Sequence, residues 1–507
     1  MGRHGTSGPA AGPRGGRVAA LVVLACLSAG CAEEPAPPRA PLRIGVHGDP
    51  SSLDPHLQSE VIAQWVLGNV YDTLVAFDVN MGLEPWLAER WENPSERVVR
   101  FHLRAGVSFH DGRPLTAADV AFSLERARRH PRSRSASALV GIEEVRVVDA
   151  RTLELHTAAH YPILLNKLAF LHVVPAGSPE EIDRPVGTGP YRLTSYEPGR
   201  RAVLEAYAEH WRGAPAAPRV EYWFVSDPGA RLERLLAGEL DLAGDVAPGD
   251  VARLEETPGF RVLSRSGLVV TYLQVNPAAP PFSDPRVRRA LDLALDREAL
   301  VRETLRGHGL PVGQMVSPNV YGYAPELAPP PPDRDEARRL LAAAGHGGGL
   351  ELILELREGQ GSPEPIRRQL AEVGVRLALV ERPWSEMYPR LQSGVVPFYL
   401  GGWVCTSGDA SDFLDMKAHS HDPERGYGAS NSNRYSDPLL DALVEQAGTM
   451  RMEARLEVLK RALRMLAGEH VFIPLYTPSD LYGAREDLRW TPRQDGRIYA
   501  FEMERTP

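Results

Sequence analysis

The sequence predicts an α/β protein of more than one domain. Residues 350–356 and 375–380 are short, mainly apolar runs that predict strands, and they flank a predicted helix, residues 365–373. Strand and helix succession of this kind favours an α/β lobe. The chain has 507 residues, which exceeds the usual size of one domain and permits a large apolar core.

The first 30 residues predict an export signal. A basic region precedes an apolar stretch, residues 18–30, that is too short to span a bilayer as a stable helix. Small residues come directly before Cys31, which resembles a bacterial lipoprotein cleavage site with Cys31 as the lipidated N-terminus. An ordinary secretory signal, or cleavage before Cys26, remains an alternative. Residues 31–41 are proline-rich and are expected to form a tether.

Charge and cysteine content exclude several classes of function. Removal of the signal also removes three arginines and takes the formal net charge from −9 to −12, which disfavours binding to nucleic acid or anionic membranes. Once Cys31 is lipidated, only Cys405 remains, so no intramolecular disulfide is expected.

Residues 100–127 carry the densest pattern of the chain. An alternating strand is followed by two turns, the second at Asp111-Gly112, and then by a helix. Thr116 stands three residues before Asp119, as in a capping box, so the helix has a defined start. The pattern is structural and predicts no catalytic chemistry.

The same residues carry a family resemblance. The sequence is similar to the large extracytoplasmic solute-binding proteins, family 5, that serve ATP-driven peptide, oligopeptide and nickel importers. The matching segments occur in the family's order: PSSLDP at 50–55, LRAGVSFHDGRPLTAADVAFSLERA at 103–127, VGTGPY at 186–191, LLAGELDLA at 235–243 and FSDPRVRRALDLALDRE at 282–298.

The resemblance implies a two-lobed periplasmic-binding-protein-like α/β fold with a hinge and an additional subdomain. Lobe I is expected to comprise residues 42–77, 185–267 and 480–507. The extra subdomain is expected at 78–184, and lobe II at 268–479.

The resemblance also implies a set of ligand-binding residues. Ser59, Glu60 and Val61 follow the LDP turn, and Tyr272, Gln274 and Asn276 lie on one strand, with Tyr476 near the end of lobe II. For Tyr272 and Asn276, strand packing and capping remain equally weighted alternatives.

The segment that discriminates between ligands is expected at residues 400–415. Trp403 suits stacking on a ligand chain. Peptide-binding relatives have an aspartate three residues later that pairs with the ligand's α-amine, but here the residue is Thr406, which has no charge. Either Asp409 replaces that carboxylate or the ligand has no such amine; a structural role of Asp409 in its loop is the alternative.

No catalytic or metal site is expected. The chain has no G-x-S-x-G elbow, no H-E-x-x-H helix and no P-loop. His110-Asp111 fits a turn better than a catalytic pair, and His419 with His421 supply too few ligands for a metal. No cofactor is expected.

We therefore expect a monomeric, lipid-anchored, extracytoplasmic substrate-binding protein that captures a peptide or peptide-like solute for permease subunits in the membrane. Three alternatives remain: a non-peptide solute such as a sugar, opine or metal chelate; a sensing or chaperone-like lipoprotein without a transport partner; and, least favoured, a secreted hydrolase.

Overall fold

The structure of the protein is a computed structural model that describes residues 40–58 and 60–506. The predicted signal, Cys31 and Ser59 lie outside the described residues. Within these two ranges, no helix has both the length and the apolar character that a membrane crossing requires.

The strands of the described ranges are numbered in chain order. They are β1 Leu42–Val46, β2 Val75–Phe77, β3 Leu83–Pro85, β4 Ala88–Ser95, β5 Val98–Leu103, β6 Ile142–Asp149, β7 Thr152–Thr157, β8 Tyr191–Glu197, β9 Arg201–Ala206, β10 Arg219–Phe224, β11 Leu242–Ala243, β12 Phe260–Ser266, β13 Val269–Val275, β14 Gly309–Pro311, β15 Leu350–Arg357, β16 Val375–Arg382, β17 Phe398–Val404, β18 Phe472–Arg485, β19 Leu488–Arg489 and β20 Glu504–Arg505.

The α-helices are numbered in the same way. They are α1 Val61–Leu67, α2 Ala117–Arg129, α3 Leu164–Leu168, α4 Pro228–Leu236, α5 Val251–Glu255, α6 Pro285–Leu293, α7 Arg297–Thr304, α8 Arg334–Ala343, α9 Glu364–Ala371, α10 Trp384–Ser393, α11 Ser411–Phe413, α12 Pro438–Ala447 and α13 Met452–Glu469. Short 3₁₀ turns occupy Ala136–Leu139, Pro248–Asp250 and Ala500–Glu502, and a π-helical turn occupies Leu414–Ala418.

The long strand β18 lies at the centre of the main sheet. The strand order is β16-β15-β17-β13-β18-β11-β1-β10-β9-β8, and β12 and β14 also pair with β18. The first half of β18 pairs with β13, and its second half pairs with β12 and β11. One strand therefore belongs to both predicted lobes.

Two chain segments cross between the lobes side by side. One is Gly267-Leu268, between β12 and β13, and the other is Thr477-Pro478, in the middle of β18. The Gly267 N–H donates to the Pro478 carbonyl over 3.4 Å. A pair of adjacent crossings of this kind is the geometry of a hinge.

A separate four-stranded sheet, β4-β5-β7-β6, carries helix α2 on one face. The helix begins where the sequence predicts: the Asp119 carboxylate accepts hydrogen bonds from the Thr116 N–H, at 2.9 Å, and from its hydroxyl, at 2.6 Å. The core around this sheet includes Leu74 and Phe77, which the sequence places in lobe I. Conversely, Val174 packs in the core of β1, β9 and β10, although the sequence places it in the subdomain.

Candidate functional site

A cavity of about 200 Å³ lies where the three predicted parts of the chain meet. Its lining residues come from the segment around α1, from the extra subdomain, from lobe II and from the C-terminal region of lobe I: Gln58, Val61, Gln64, Arg134, Ser135, Ala138, Lys167, Phe170, Leu171, Thr406 and Arg497. The lining combines apolar side chains with a few polar and charged ones, as small-molecule sites do.

The first wall is fixed by a buried ion pair. The Asp54 carboxylate accepts hydrogen bonds from both terminal nitrogens of Arg126, on α2, and from the N–H groups of His56 and Ile182, each at 3.0 Å. Burial lowers the pKa of His56 to about 4, so this imidazole is neutral at pH 7. Helix α2 therefore positions the segment that leads to Val61 without touching the cavity.

Thr406, which also lines the cavity, lies two residues after the end of β17. Its hydroxyl lies 3.5 Å from Oδ2 of Asp412, and the same carboxylate oxygen accepts the Ser407 N–H at 2.8 Å. Nζ of Lys167 lies 3.0 Å from the other oxygen, Oδ1. Burial and the Asp412 carboxylate act in opposite directions on Lys167, and the carboxylate prevails, so the pKa of the ammonium is raised.

Asp409, which the sequence offers either as a ligand residue or as a structural residue of its loop, forms an ion pair within the protein. Both of its oxygens accept hydrogen bonds from Arg455, at 2.6 and 2.7 Å, and one also accepts the Ser411 N–H at 2.9 Å. Asp409 and Arg455 are both fully buried. Both carboxylate oxygens of Asp409 are therefore engaged by partners within the protein.

Four other predicted ligand residues are absent from the lining of this cavity. Tyr272 is fully buried against Phe472, and Gln274 donates to the Ser432 hydroxyl at 3.0 Å. Asn276 caps the turn after β13 by accepting the Ala278 N–H at 2.9 Å. Tyr476 is buried in the core of lobe II. In the structure these four side chains therefore pack or cap.

Trp403 and Glu60 are not among the residues that line the cavity. The Trp403 ring meets Phe413 edge-on at 5.9 Å, and its indole N–H has no partner among the described residues. Glu60 is exposed and accepts a hydrogen bond from the Ser51 hydroxyl at 2.6 Å. Of the predicted ligand residues that the structure describes, Val61 and Thr406 are the two that line this cavity.

Sequence reasoning missed the charged residues of the cavity, namely Arg134, Lys167 and Arg497. Arg497 stacks over the Phe170 ring, with 4.6 Å between its guanidinium carbon and the ring centroid. None of these residues belongs to a quoted motif. The sequence offers one indication of such a residue: Lys167 is a cation within an apolar segment for which the motifs imply no function.

The two candidate metal residues have structural partners. The buried His419 ring is stacked on Tyr427 at 4.3 Å, and its two nitrogens lie near the Ser420 carbonyl and Glu445. His421 Nδ1 lies 3.1 Å from the Gly428 carbonyl oxygen. The described part of the chain contains no group of three His, Cys, Asp or Glu side chains suited to a metal ion.

Comparison with known proteins places the chain in a family. Residues 82–424 match the family model "Bacterial extracellular solute-binding proteins, family 5 Middle". The peptide transport periplasmic protein SapA of Salmonella typhimurium is 27% identical, with 88% of each chain covered.

Two solved structures show the same fold. The DppA periplasmic binding protein of Helicobacter pylori, in complex with the peptide STSA, has a TM-score of 0.79 at 23% identity, covering 92% of this chain and 98% of its own. AgaA of A. tumefaciens R10, in complex with agropinic acid, has a TM-score of 0.77 at 24% identity, covering 92% and 99%. The predicted two-lobed α/β fold is thereby confirmed. The chain belongs to the bacterial extracellular solute-binding proteins of family 5.

Proposed function

We propose that the protein is the substrate-binding lipoprotein of an ATP-binding-cassette importer. It captures a peptide-like or other small solute in the cavity and delivers it to permease subunits in the membrane. Family membership supports this role, as does the transport function in the name of SapA.

The composition of the cavity wall carries the proposal. Thr406 lies between the two hinge crossings in the sequence, whereas Gln58 precedes the first crossing and Arg497 follows the second. A solute that touches both sides makes all its contacts only when the lobes are closed, so its binding stabilises the closed state.

Direct contacts between the subdomain and lobe II accompany this arrangement. Besides the Lys167–Asp412 pair, the Asn166 side-chain amide donates to the Ser407 carbonyl at 2.8 Å, next to Thr406. Further from the cavity, Arg451 pairs with Glu96 at 2.5 Å. Each of these contacts joins the predicted subdomain to predicted lobe II, and we propose that closure forms them.

The protein is proposed to act outside the cytoplasm, held at the membrane by lipid on Cys31. Its role is binding, without covalent chemistry, and it is proposed to act as a monomer. The division into lobe I, lobe II and the extra subdomain supports this mechanism and is part of the proposal.

A non-peptide solute is the second candidate. Two observations favour it: position 406 offers no charge, and the nearby Asp409 is committed to Arg455. AgaA, a structure of the same fold, was solved with agropinic acid. A sensing or chaperone-like lipoprotein would also bind a solute. That alternative would be favoured if the solute-loaded protein bound no permease.

Native mass spectrometry of the protein purified from its own cells tests the proposal. We expect a retained small molecule of one defined mass that is lost on denaturation. Ala138 lines the cavity, so Ala138→Trp should fill it and abolish retention. Ala343→Trp, on the exposed end of α8, is the matched control and should retain the molecule. Equal retention by both variants would place the solute elsewhere and contradict the proposed site.

A further inference from the structure

Arg497 is a buried cation with almost no partner. Its side chain is 9% exposed, yet its guanidinium donates no hydrogen bond among the described residues. The one carboxylate within 4 Å is that of Asp495, at 3.7 Å. Asp495 is already bonded to Arg493, at 3.0 and 3.1 Å. No nitrogen of Arg497 is among the fully buried polar atoms without a partner in the described residues, so its donors can reach an acceptor supplied from outside the protein.

The position of Arg497 shows where that acceptor would lie. Its guanidinium is stacked on Phe170, which also lines the cavity. Stacking holds the planar fork in one orientation and leaves its edge free to bind an oxyanion through two parallel hydrogen bonds.

A second unpaired cation lies on the same cavity. Arg134 is exposed, and its guanidinium has neither a hydrogen bond nor an ion pair within the described ranges. By contrast Arg132, two residues earlier on the same loop, is paired with Glu181. Arg134 is therefore available to a solute.

The carboxylates near the cavity are, by contrast, already engaged. Asp412 binds Lys167 and the Ser407 N–H, and Asp409 binds Arg455. Asp415 is not among the lining residues, and burial raises its pKa to about 7, which favours its neutral form. The cavity lining itself contains cations and neutral side chains but no carboxylate.

We propose that the solute is an organic anion that carries a carboxylate and no free ammonium group, and that Arg497 and Arg134 bind its carboxylate. This inference rests on the proposed solute-binding function and specifies the chemical class of the solute. It distinguishes the protein from binding proteins that hold a peptide by its free amine.

A panel of paired probes, each pairing an anion with a cation of similar size, tests the inference by thermal shift and calorimetry. The pairs are N-acetyl-Ala-Phe with Ala-Phe-amide, gluconate with glucosamine, and succinate with putrescine. In parallel, the charge of any solute released from the native protein is determined. We expect binding, and any released solute, to fall on the anionic side. A released solute or bound probe with a free ammonium group overturns the inference but leaves the binding function intact. A protein that releases no solute and binds no member of the panel contradicts the binding function as well.

Variants locate the anion. With the tightest anionic probe, Arg497→Gln and Arg134→Gln should each weaken binding about tenfold or more, because each removes a charge-assisted contact. Arg132→Gln is the matched control on the same loop and should leave the affinity unchanged. Arg497→Lys retains the charge without the fork, and its unfolding temperature separates loss of binding from loss of folding. Unchanged affinity in both Gln variants, with the fold intact, would overturn the assignment.

Discussion

Lys167, at the end of α3 in the extra subdomain, and Asp412, on α11, form an ion pair of 3.0 Å across two parts of the chain 245 residues apart. The Asp412 side chain is nearly buried and that of Lys167 is one-quarter exposed. The pair therefore connects the predicted subdomain to predicted lobe II at the edge of the candidate cavity.

Loss of this pair should favour the open state. Lys167→Met keeps the apolar stem and removes the charge, which should destabilise closure by about 1 kcal/mol and weaken solute binding about fivefold. Small-angle X-ray scattering of the unliganded protein should show a larger radius of gyration for the variant. Lys460→Met removes a lysine whose partner, Glu457, lies on the same helix, and it should change neither quantity. Equal effects of the two substitutions would show that the Lys167 pair does not stabilise closure.

The Asp409–Arg455 pair should affect stability rather than recognition. Arg455→Met leaves a buried carboxylate without its bidentate partner, and we expect a loss of about 3–5 kcal/mol in the free energy of unfolding. Chemical denaturation monitored by tryptophan fluorescence measures it. The double variant Asp409→Asn/Arg455→Met should recover part of the loss, because no unpaired charge remains. The folded Asp409→Asn variant should bind solute with unchanged affinity, and a selective loss of binding would restore Asp409 as a ligand residue.

The positions of individual strands and helices could be predicted from the sequence, because side-chain patterns and capping residues close together in the chain determine them. Strand β15, Leu350–Arg357, and strand β16, Val375–Arg382, lie within one or two residues of the predicted segments. The start of α2 at Ala117 follows from Thr116 and Asp119 alone. The two-lobed fold was predicted from the resemblance of the motifs to the family, because no local pattern specifies how the strands and helices are arranged.

The site was less predictable, for two physical reasons. Alternation along β13 shows that Tyr272, Gln274 and Asn276 share one face, but it does not show what covers that face. In the structure, lobe II itself covers it, through Phe472 and Ser432. The cavity's cations, Lys167 and Arg497, come from segments 330 residues apart that only the tertiary fold brings together.

Lipid attachment through Cys31 stays a prediction and has a direct test. Cys31→Ser should move the protein from the membrane fraction to the soluble extracytoplasmic fraction, because a protein without its acyl chains has no other anchor expected from the sequence. Cys26→Ser is the matched control and should leave the protein on the membrane. The reverse pattern would show that cleavage occurs before Cys26, and membrane retention by both variants would contradict the lipoprotein prediction.

A carboxylate introduced at position 406 should change the preferred ligand. Thr406 lines the cavity, so Thr406→Asp places a negative charge where an ammonium group could bind it. We expect the affinity for Ala-Phe to rise about tenfold relative to N-acetyl-Ala-Phe, measured by calorimetry on both peptides. Thr406→Asn has a similar shape without the charge and should not change that ratio. An identical ratio in the two variants would show that position 406 does not face the ligand's amine.

Asp480 should make stability depend on pH. It lies on β18 directly after the hinge crossing, and a Cβ added to Gly267 would lie 3.1 Å from its Oδ2. Burial, reinforced by the carboxylates of Asp245 and Asp495, raises the pKa of Asp480 to about 7. Because the folded-state pKa exceeds that of the unfolded chain, the native state binds the proton more tightly. The resulting stabilisation is complete below about pH 4 and is lost as the pH rises through about 7.

Replacement of Asp480 should therefore stabilise the protein selectively at high pH. Asp480→Asn removes a charge that burial and two like charges oppose, so its melting temperature should exceed that of the wild type at about pH 8 and approach it at about pH 5. Differential scanning calorimetry across this range measures the difference. Asp335→Asn, at a side chain that is 90% exposed, is the control, and its difference in melting temperature from the wild type should not change between these two pH values. A wild type and Asp480→Asn variant with parallel pH profiles would mean that Asp480 titrates at its ordinary pKa, with its carboxylate hydrated at the hinge.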